Sequence, residues 1–188
     1  MSATTDHAPP RMVPFRAPTA RLALKPVSTT RRLLDGAWWP RSRNLVHELS
    51  ALADVLDPLW GRITRIAVNP TYWTAIPSSV AVNGHLVKID RFTRELDPHE
   101  ILLLSYTAGR WDLLVIPPRT SASVAARLMT AASESTGPPR TASALMAAEQ
   151  ALRSSSVTDR TQHSEETWED DDATSHSVTE ARRPAVCS

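Results

Sequence analysis

The chain has 188 residues, 41% of them hydrophobic, and a formal net charge of +1, which suits one domain with a sizeable core. Its single cysteine, Cys187, excludes an intrachain disulfide and a thiolate metal cluster, and it fits a reducing cytoplasm. The first twenty residues lack the apolar stretch of a signal peptide, and no apolar run approaches the roughly 20 residues that cross a bilayer. We therefore expect a cytoplasmic protein with no membrane partner.

Composition divides the chain into three parts. Residues 1–19 are rich in proline and threonine and have no apolar period, which is typical of a flexible leader. Hydrophobic residues are concentrated in 20–152, where we expect a single α+β domain. Residues 153–188 carry many acids and no apolar period, which favours a disordered acidic tail. Because the first 44 residues are basic, the two ends of the chain have opposite charge.

The first predicted elements are a strand at 21–27, where leucines alternate with polar residues, and an amphipathic helix at 43–57. Ser42 stands where the N-cap of this helix belongs, and we expect Pro58 and Gly61 to end it. Its apolar face is formed by leucines spaced three and four residues apart, namely Leu45, Leu49, Leu52 and Leu56.

A strand at 62–69 and a tight hairpin follow the helix. The strand is rich in β-branched residues. Asn83-Gly84 lies between two alternating apolar runs and predicts a two-residue turn that pairs Val82 with His85.

A second hairpin is predicted over 100–118, turning at Ala108-Gly109. In this register Ser105 lies opposite Asp112. Both faces of the hairpin are apolar at its base, which is typical of strands in the middle of a sheet that is covered on both sides.

Two C-terminal helices complete the predicted fold. One begins after Thr120 or Ser121 as its cap, and the other spans 141–152. The sequence thus predicts an α+β domain: a mainly antiparallel sheet of about five to six strands, with one long helix after the first strand and two C-terminal helices.

The run "LLDGAWWPRSRN" is the strongest candidate for a binding site. Tryptophans beside arginines favour stacking and the pairing of anionic groups. Adjacent residues of an extended segment point in opposite directions, so one of the two tryptophans is also expected to anchor the core. The loop "NPTYW" presents further aromatic residues. The predicted ligand-binding cleft comprises Asp35, Trp38, Trp39, Arg41, Arg43, Tyr72, Trp73 and Trp111.

Our leading hypothesis is a non-catalytic binding or regulatory module with an aromatic and basic cleft, whose partner is an anionic ligand or a protein. A small hydrolase is the first alternative, with acid–base residues drawn from Asp35, His85, His99 and Asp112. Nucleic-acid binding through the basic N-terminal region is the second. The histidine spacing predicts no metal site, and the absence of a glycine-rich loop predicts no nucleotide cofactor.

Four stretches carry a resemblance: "LLDGAWWPRSRNL", "ITRIAVNPTYW", "LLLSYTAGRWDLLVIPP" and "TASALMAAE". Over about residues 20–150 the chain resembles a small actinobacterial family of domains of unknown function, frequent in streptomycetes, with a GAWWPRS motif. The resemblance implies a bacterial cytoplasmic protein, and it carries no catalytic or ligand-binding residues that transfer to this chain. The acidic tail lies outside it.

Overall fold

The computed structural model describes residues 19–26, 33–107, 109–135 and 138–155. In this part of the chain, helices pack against both faces of one seven-stranded sheet. The strands are β1 Leu22–Leu24, β2 Gly36–Trp38, β3 Ile63–Val68, β4 Ser79–Val82, β5 His85–Arg91, β6 Glu100–Ser105 and β7 Gly109–Val115. The helices are α1 Leu45–Trp60, α2 Ala122–Ser133 and α3, residues 142–155, with a short 3-10 helix at Pro70–Tyr72. The predicted leader up to residue 18 and the predicted tail beyond residue 155 lie outside the described residues.

The sheet is mixed, with the strand order β1-β2-β7-β6-β3-β5-β4. Neighbouring strands are antiparallel except for two parallel pairs, β2 with β7 and β3 with β5. The α+β class is confirmed. The predicted number of five to six strands is too low, and the sheet is mixed rather than mainly antiparallel.

The strand that the sequence did not predict is β2, which consists of the "GAW" of the tryptophan motif. Three residues are too few to show an alternating pattern. They nevertheless join β1 on one side to the parallel strand β7 on the other. The long helix consequently follows the second strand and not the first. Gly36 allows this close approach, because a Cβ atom there would lie 2.2 Å from the carbonyl oxygen of Ala23.

Helix α1 presents its predicted leucines to the sheet and ends at Gly61 as predicted, but its N-cap and the place of Pro58 differ from the prediction. The N-cap is Asn44, whose side chain accepts a hydrogen bond from the amide of His47. Ser42 instead donates to a Glu48 carboxylate oxygen at 2.8 Å. Pro58 lies inside the last turn, and Gly61 provides the C-cap. Because Pro58 lies in the last turn, the backbone hydrogen bond that a proline cannot donate is lost only at the end of the helix.

The first hairpin is confirmed, whereas the predicted register of the second is wrong. Val82 pairs with His85, and Asn83 and Gly84 both have positive φ. In the second hairpin Ser105 pairs with Gly109, and Asp112 lies opposite Leu102. The connection therefore contains three residues instead of two, and Gly109, at φ +87°, supplies the left-handed conformation that ends it.

This register separates two apolar clusters, one on each face of the sheet. On the α1 face, the helix leucines pack with residues such as Val87, Ile101 and Leu113. On the α2/α3 face, Leu114 packs with α2 residues such as Val124 and with α3 residues including Leu145. No helix in the described ranges is long and apolar enough to cross a membrane.

We predict that Gly36→Ala destabilises the domain by about 3 kcal/mol, because the new methyl group collides with the backbone of β1. Equilibrium unfolding in urea measures the loss. Gly84→Ala is the matched control: a Cβ there meets no atom within 4 Å, and its cost of about 1 kcal/mol comes from the positive φ alone. Equal losses in the two variants would contradict the close approach of β1 and β2.

Candidate functional site

The predicted cleft contains two tryptophans that lie in the core. Trp38 is 1% exposed and Trp73 is 8% exposed. Their rings stack with centroids 5.5 Å apart on the α1 face of the sheet. This stacked pair anchors the end of β2 to the segment that follows β3.

The other two tryptophans of the predicted cleft lie apart from this pair and from each other. Trp39 packs at the edge of the α2/α3 cluster, and the guanidinium carbon of Arg21 lies 3.4 Å from its ring centroid. Trp111 belongs to the α1 face and stacks on Trp60, with ring centroids 3.9 Å apart. The structure therefore distributes the aromatic residues over both faces of the sheet and does not gather them in one cleft.

The polar members of the predicted cleft hold loops together. Arg43 donates to the carbonyl oxygens of Thr71 and Tyr72 at 3.0 and 2.8 Å. The guanidinium of Arg41 donates to the carbonyl oxygen of Thr19 at 3.3 Å. These contacts tie the loop before α1 to the short 3-10 helix and to the N-terminal segment.

Asp35 lies apart from the other members of the predicted cleft, beside the buried carboxyl group of Asp112. Its carboxylate accepts a hydrogen bond from the amide of Asp112 at 2.9 Å, while its own amide donates to the Asp112 carbonyl oxygen at 2.7 Å. Glu100, on β6, is the diagonal neighbour of Asp112 across the β6–β7 pair. Three carboxyl groups thus follow one another on the α2/α3 face, from the start of β2 across β7 to β6.

One arginine and one retained proton offset the charges of Asp112 and Glu100. Arg110 forms a bidentate ion pair with Asp112, with three nitrogen–oxygen distances between 2.9 and 3.0 Å. Asp112 also hydrogen-bonds the side chain of Glu100. Burial and the neighbouring Asp112 carboxylate raise the pKa of Glu100 to about 7. The pKa of Asp35 is also raised, mainly by burial.

A cavity of about 600 Å³ opens beside the carboxyl groups of Glu100 and Asp112. That volume is in the range of small-molecule sites. Glu100, Arg110 and Asp112 form its floor on the sheet. We call this site the acidic cavity, and its lining comprises Leu33, Glu95, Leu96, Asp97, Glu100, Arg110, Asp112, Pro139 and Thr141.

Asp97 fixes one wall of the acidic cavity to helix α3. Its carboxylate accepts hydrogen bonds from the amide and hydroxyl of Ser143, at 2.8 and 2.7 Å, and from the amide of His99 at 2.9 Å. Burial by itself raises the pKa of Asp97, but these hydrogen bonds outweigh it and lower the pKa overall. The anionic Asp97 side chain therefore connects the start of β6 to the first turn of α3 through these hydrogen bonds.

The histidines of the predicted hydrolase do not join the carboxyl groups. The His99 ring nitrogen Nε2 lies 2.9 Å from the hydroxyl of Tyr72, and burial lowers the pKa of His99. The His85 nitrogen Nε2 lies 2.8 Å from the carbonyl oxygen of Ile63. In the described ranges, no group of three or more histidine, cysteine, aspartate or glutamate residues is arranged to hold a metal ion.

Sequence reasoning named Asp35 and Asp112 but missed Glu100, Arg110 and Asp97 as members of one site. Glu100 and Arg110 stand near the two ends of an apolar hairpin, where charged residues are usually solvated. The available signal was the alternation of Arg110 with Asp112 on β7, which places both side chains on one face. Without the register of β6, that signal does not reach Glu100.

We predict that Trp38→Ala and Trp39→Ala differ in their effect on folding. Trp38→Ala removes a buried, stacked side chain and costs about 3–5 kcal/mol. Trp39→Ala removes a partly exposed ring and its contact with Arg21, so we expect about 2 kcal/mol or less. Denaturant titrations measure both values. A greater loss for Trp39→Ala would contradict the assignment of Trp38 as the anchor.

Comparison with known proteins gives a family and no activity. No curated protein and no solved structure matches the chain. Residues 21–132, more than half of the chain, match a family of unknown function, DUF5994. The match covers all seven strands with α1 and nearly all of α2, and it ends before α3. The chain therefore belongs to the DUF5994 family of unknown function.

Proposed function

We propose that this domain is a binding module and that the acidic cavity receives a small organic cation. The observation that carries the proposal is the Glu100–Asp112 carboxyl pair on the floor of a cavity of about 600 Å³. Because Glu100 is buried beside the Asp112 carboxylate, it retains a proton up to a pH of about 7. A bound ammonium group supplies the same positive charge and allows both carboxyl groups to ionise.

The charges around the cavity support a cation over an anion. The lining has four carboxyl groups, from Glu95, Asp97, Glu100 and Asp112, and one guanidinium, from Arg110. Arg110 already forms its bidentate pair with Asp112. The anionic ligand expected from the arginines of the tryptophan motif has less support, because Arg41 and Arg43 both donate to backbone carbonyl oxygens.

Catalysis and nucleic-acid binding have weaker support. The lining offers carboxyl groups and one threonine hydroxyl, but its arginine is committed to Asp112 and no histidine completes an acid–base dyad there. The described cations of the N-terminal region also serve the fold: Arg21 donates to the carbonyl oxygens of Trp39 and Pro40, and Lys25 donates to that of Leu34. Arg11, Arg16, Arg31 and Arg32 lie outside the described residues.

The test uses putrescine as the probe and 1,4-butanediol, its neutral counterpart of the same length, as the ligand control. We predict that the full chain binds putrescine and not the diol. Raising the pH from 6 to 8 ionises Glu100, whose pKa is about 7, so affinity increases about tenfold over this interval. Isothermal titration calorimetry at the two pH values measures the change.

Two variants make the test specific to the site. Glu100→Gln removes the titrating carboxyl group, so we expect weaker binding and loss of the pH dependence. Asp54→Asn removes an exposed carboxylate from α1, on the opposite side of the sheet, and we expect it to bind as the unmodified chain does. Equal binding of the diol, or an unchanged pH dependence in Glu100→Gln, would refute the proposal.

A further inference from the structure

On the α2/α3 face, the apolar cluster of the described residues does not extend to β3, β4 and β5. Helix α2 packs on β1 and β2 at one end of the sheet order. At the other end, side chains of β3, β4, β5 and β6 that point away from α1 belong to neither apolar cluster of the described residues. We call this surface the open face, and it comprises Arg65, Ala81, Leu86, Lys88, Asp90, Leu102 and Leu104.

The open face combines apolar side chains with two basic residues and one acid, Asp90. Leu86 is 58% exposed although it is a large apolar residue. Lys88 is exposed beside it, two residues along β5, and has no ion-pair partner in the part of the chain that the structure describes. Arg65 lies across from Lys88 on β3, half exposed, and contacts Asp90 at 3.4 Å. A partner with an apolar anchor and several carboxylates fits this surface.

The chain itself contains such a partner. Residues 165–172, "EETWEDDD", place six carboxylates around a tryptophan, Trp168. Nine residues separate Glu165 from the end of α3, and nine extended residues span about 30 Å. That reach is comparable to the size of a domain of this length. Because α3 lies on the same side of the sheet as the open face, the segment does not need to pass around an edge.

We propose that residues 165–172 dock on the open face of the same molecule. Trp168 then covers Leu86 and its leucine neighbours, and the flanking carboxylates pair with Lys88 and Arg65. The open face lies outside the acidic cavity, so docking of residues 165–172 does not depend on whether the cavity binds a cation.

The experiment places a spin label next to the acidic segment in the full chain. Cys187→Ser removes the single cysteine, and Ala173→Cys supplies a site for a nitroxide label directly after Asp172. In ¹⁵N-labelled protein at low salt, we expect the amide peaks of β4 and β5 to lose at least about half of their intensity relative to the reduced label. Since ion pairs of exposed groups are screened, about 1 M salt should restore most of the intensity.

A matched pair of charge variants tests the contact. Lys88→Glu should abolish the broadening, whereas Arg119→Glu, the same change at an exposed site between β7 and α2, should leave it intact. The dispersion of the amide spectrum shows whether each variant is folded. Docking in the same molecule is refuted if β4 and β5 are not broadened at low salt, or if another surface is broadened instead. It is refuted as well if ¹⁵N chains without a spin label are broadened to the same extent when they are mixed with ¹⁴N chains that carry the label, since the occupant is then a second copy.

Discussion

The register of β6 against β7 decides which side chains reach each face of the sheet. With Ser105 paired to Gly109, Leu103 and Leu113 point toward α1, whereas Glu100 and Asp112 point toward α2 and α3. A slip of one residue would exchange the two faces and bury the carboxyl groups under α1. The apolar core and the acidic cavity are thus two consequences of a single pairing.

This strand pairing buries the Asp112 carboxylate, and neighbouring side chains offset the free-energy cost of that burial. Asp112 is 8% exposed, and a buried carboxylate without partners is strongly unfavourable. Arg110 supplies a bidentate partner, and Glu100 meets the remaining cost by holding a proton near neutral pH. Glu100 can lose its proton near neutral pH, and a cation bound in the cavity can then replace the lost positive charge. This exchange links the fold to the proposed function.

Local patterns predicted the elements that depend on local physics. The Asn83-Gly84 turn, the leucine spacing of α1 and the start of α2 after Ser121 need no distant partner, and all three are present. Features set by distant contacts were missed. Strand β2 exists because β1 and β7 flank it, and its three residues carry no pattern of their own. The second hairpin is apolar on both faces, so alternation did not fix its register. The predicted grouping of aromatic residues likewise depended on topology, because Trp73 stacks on Trp38 whereas Trp111 stacks on Trp60.

The retention of a proton by Glu100 near neutral pH is the central claim for the acidic cavity. A titration of the side-chain carboxyl carbons by ¹³C NMR measures it in the folded protein without added ligand. The account predicts that the Glu100 carboxyl group titrates with a pKa of about 7. A midpoint near 4.5, the value of an unperturbed glutamate, would show that neither burial nor the neighbouring Asp112 raises the pKa of Glu100, and it would contradict this claim.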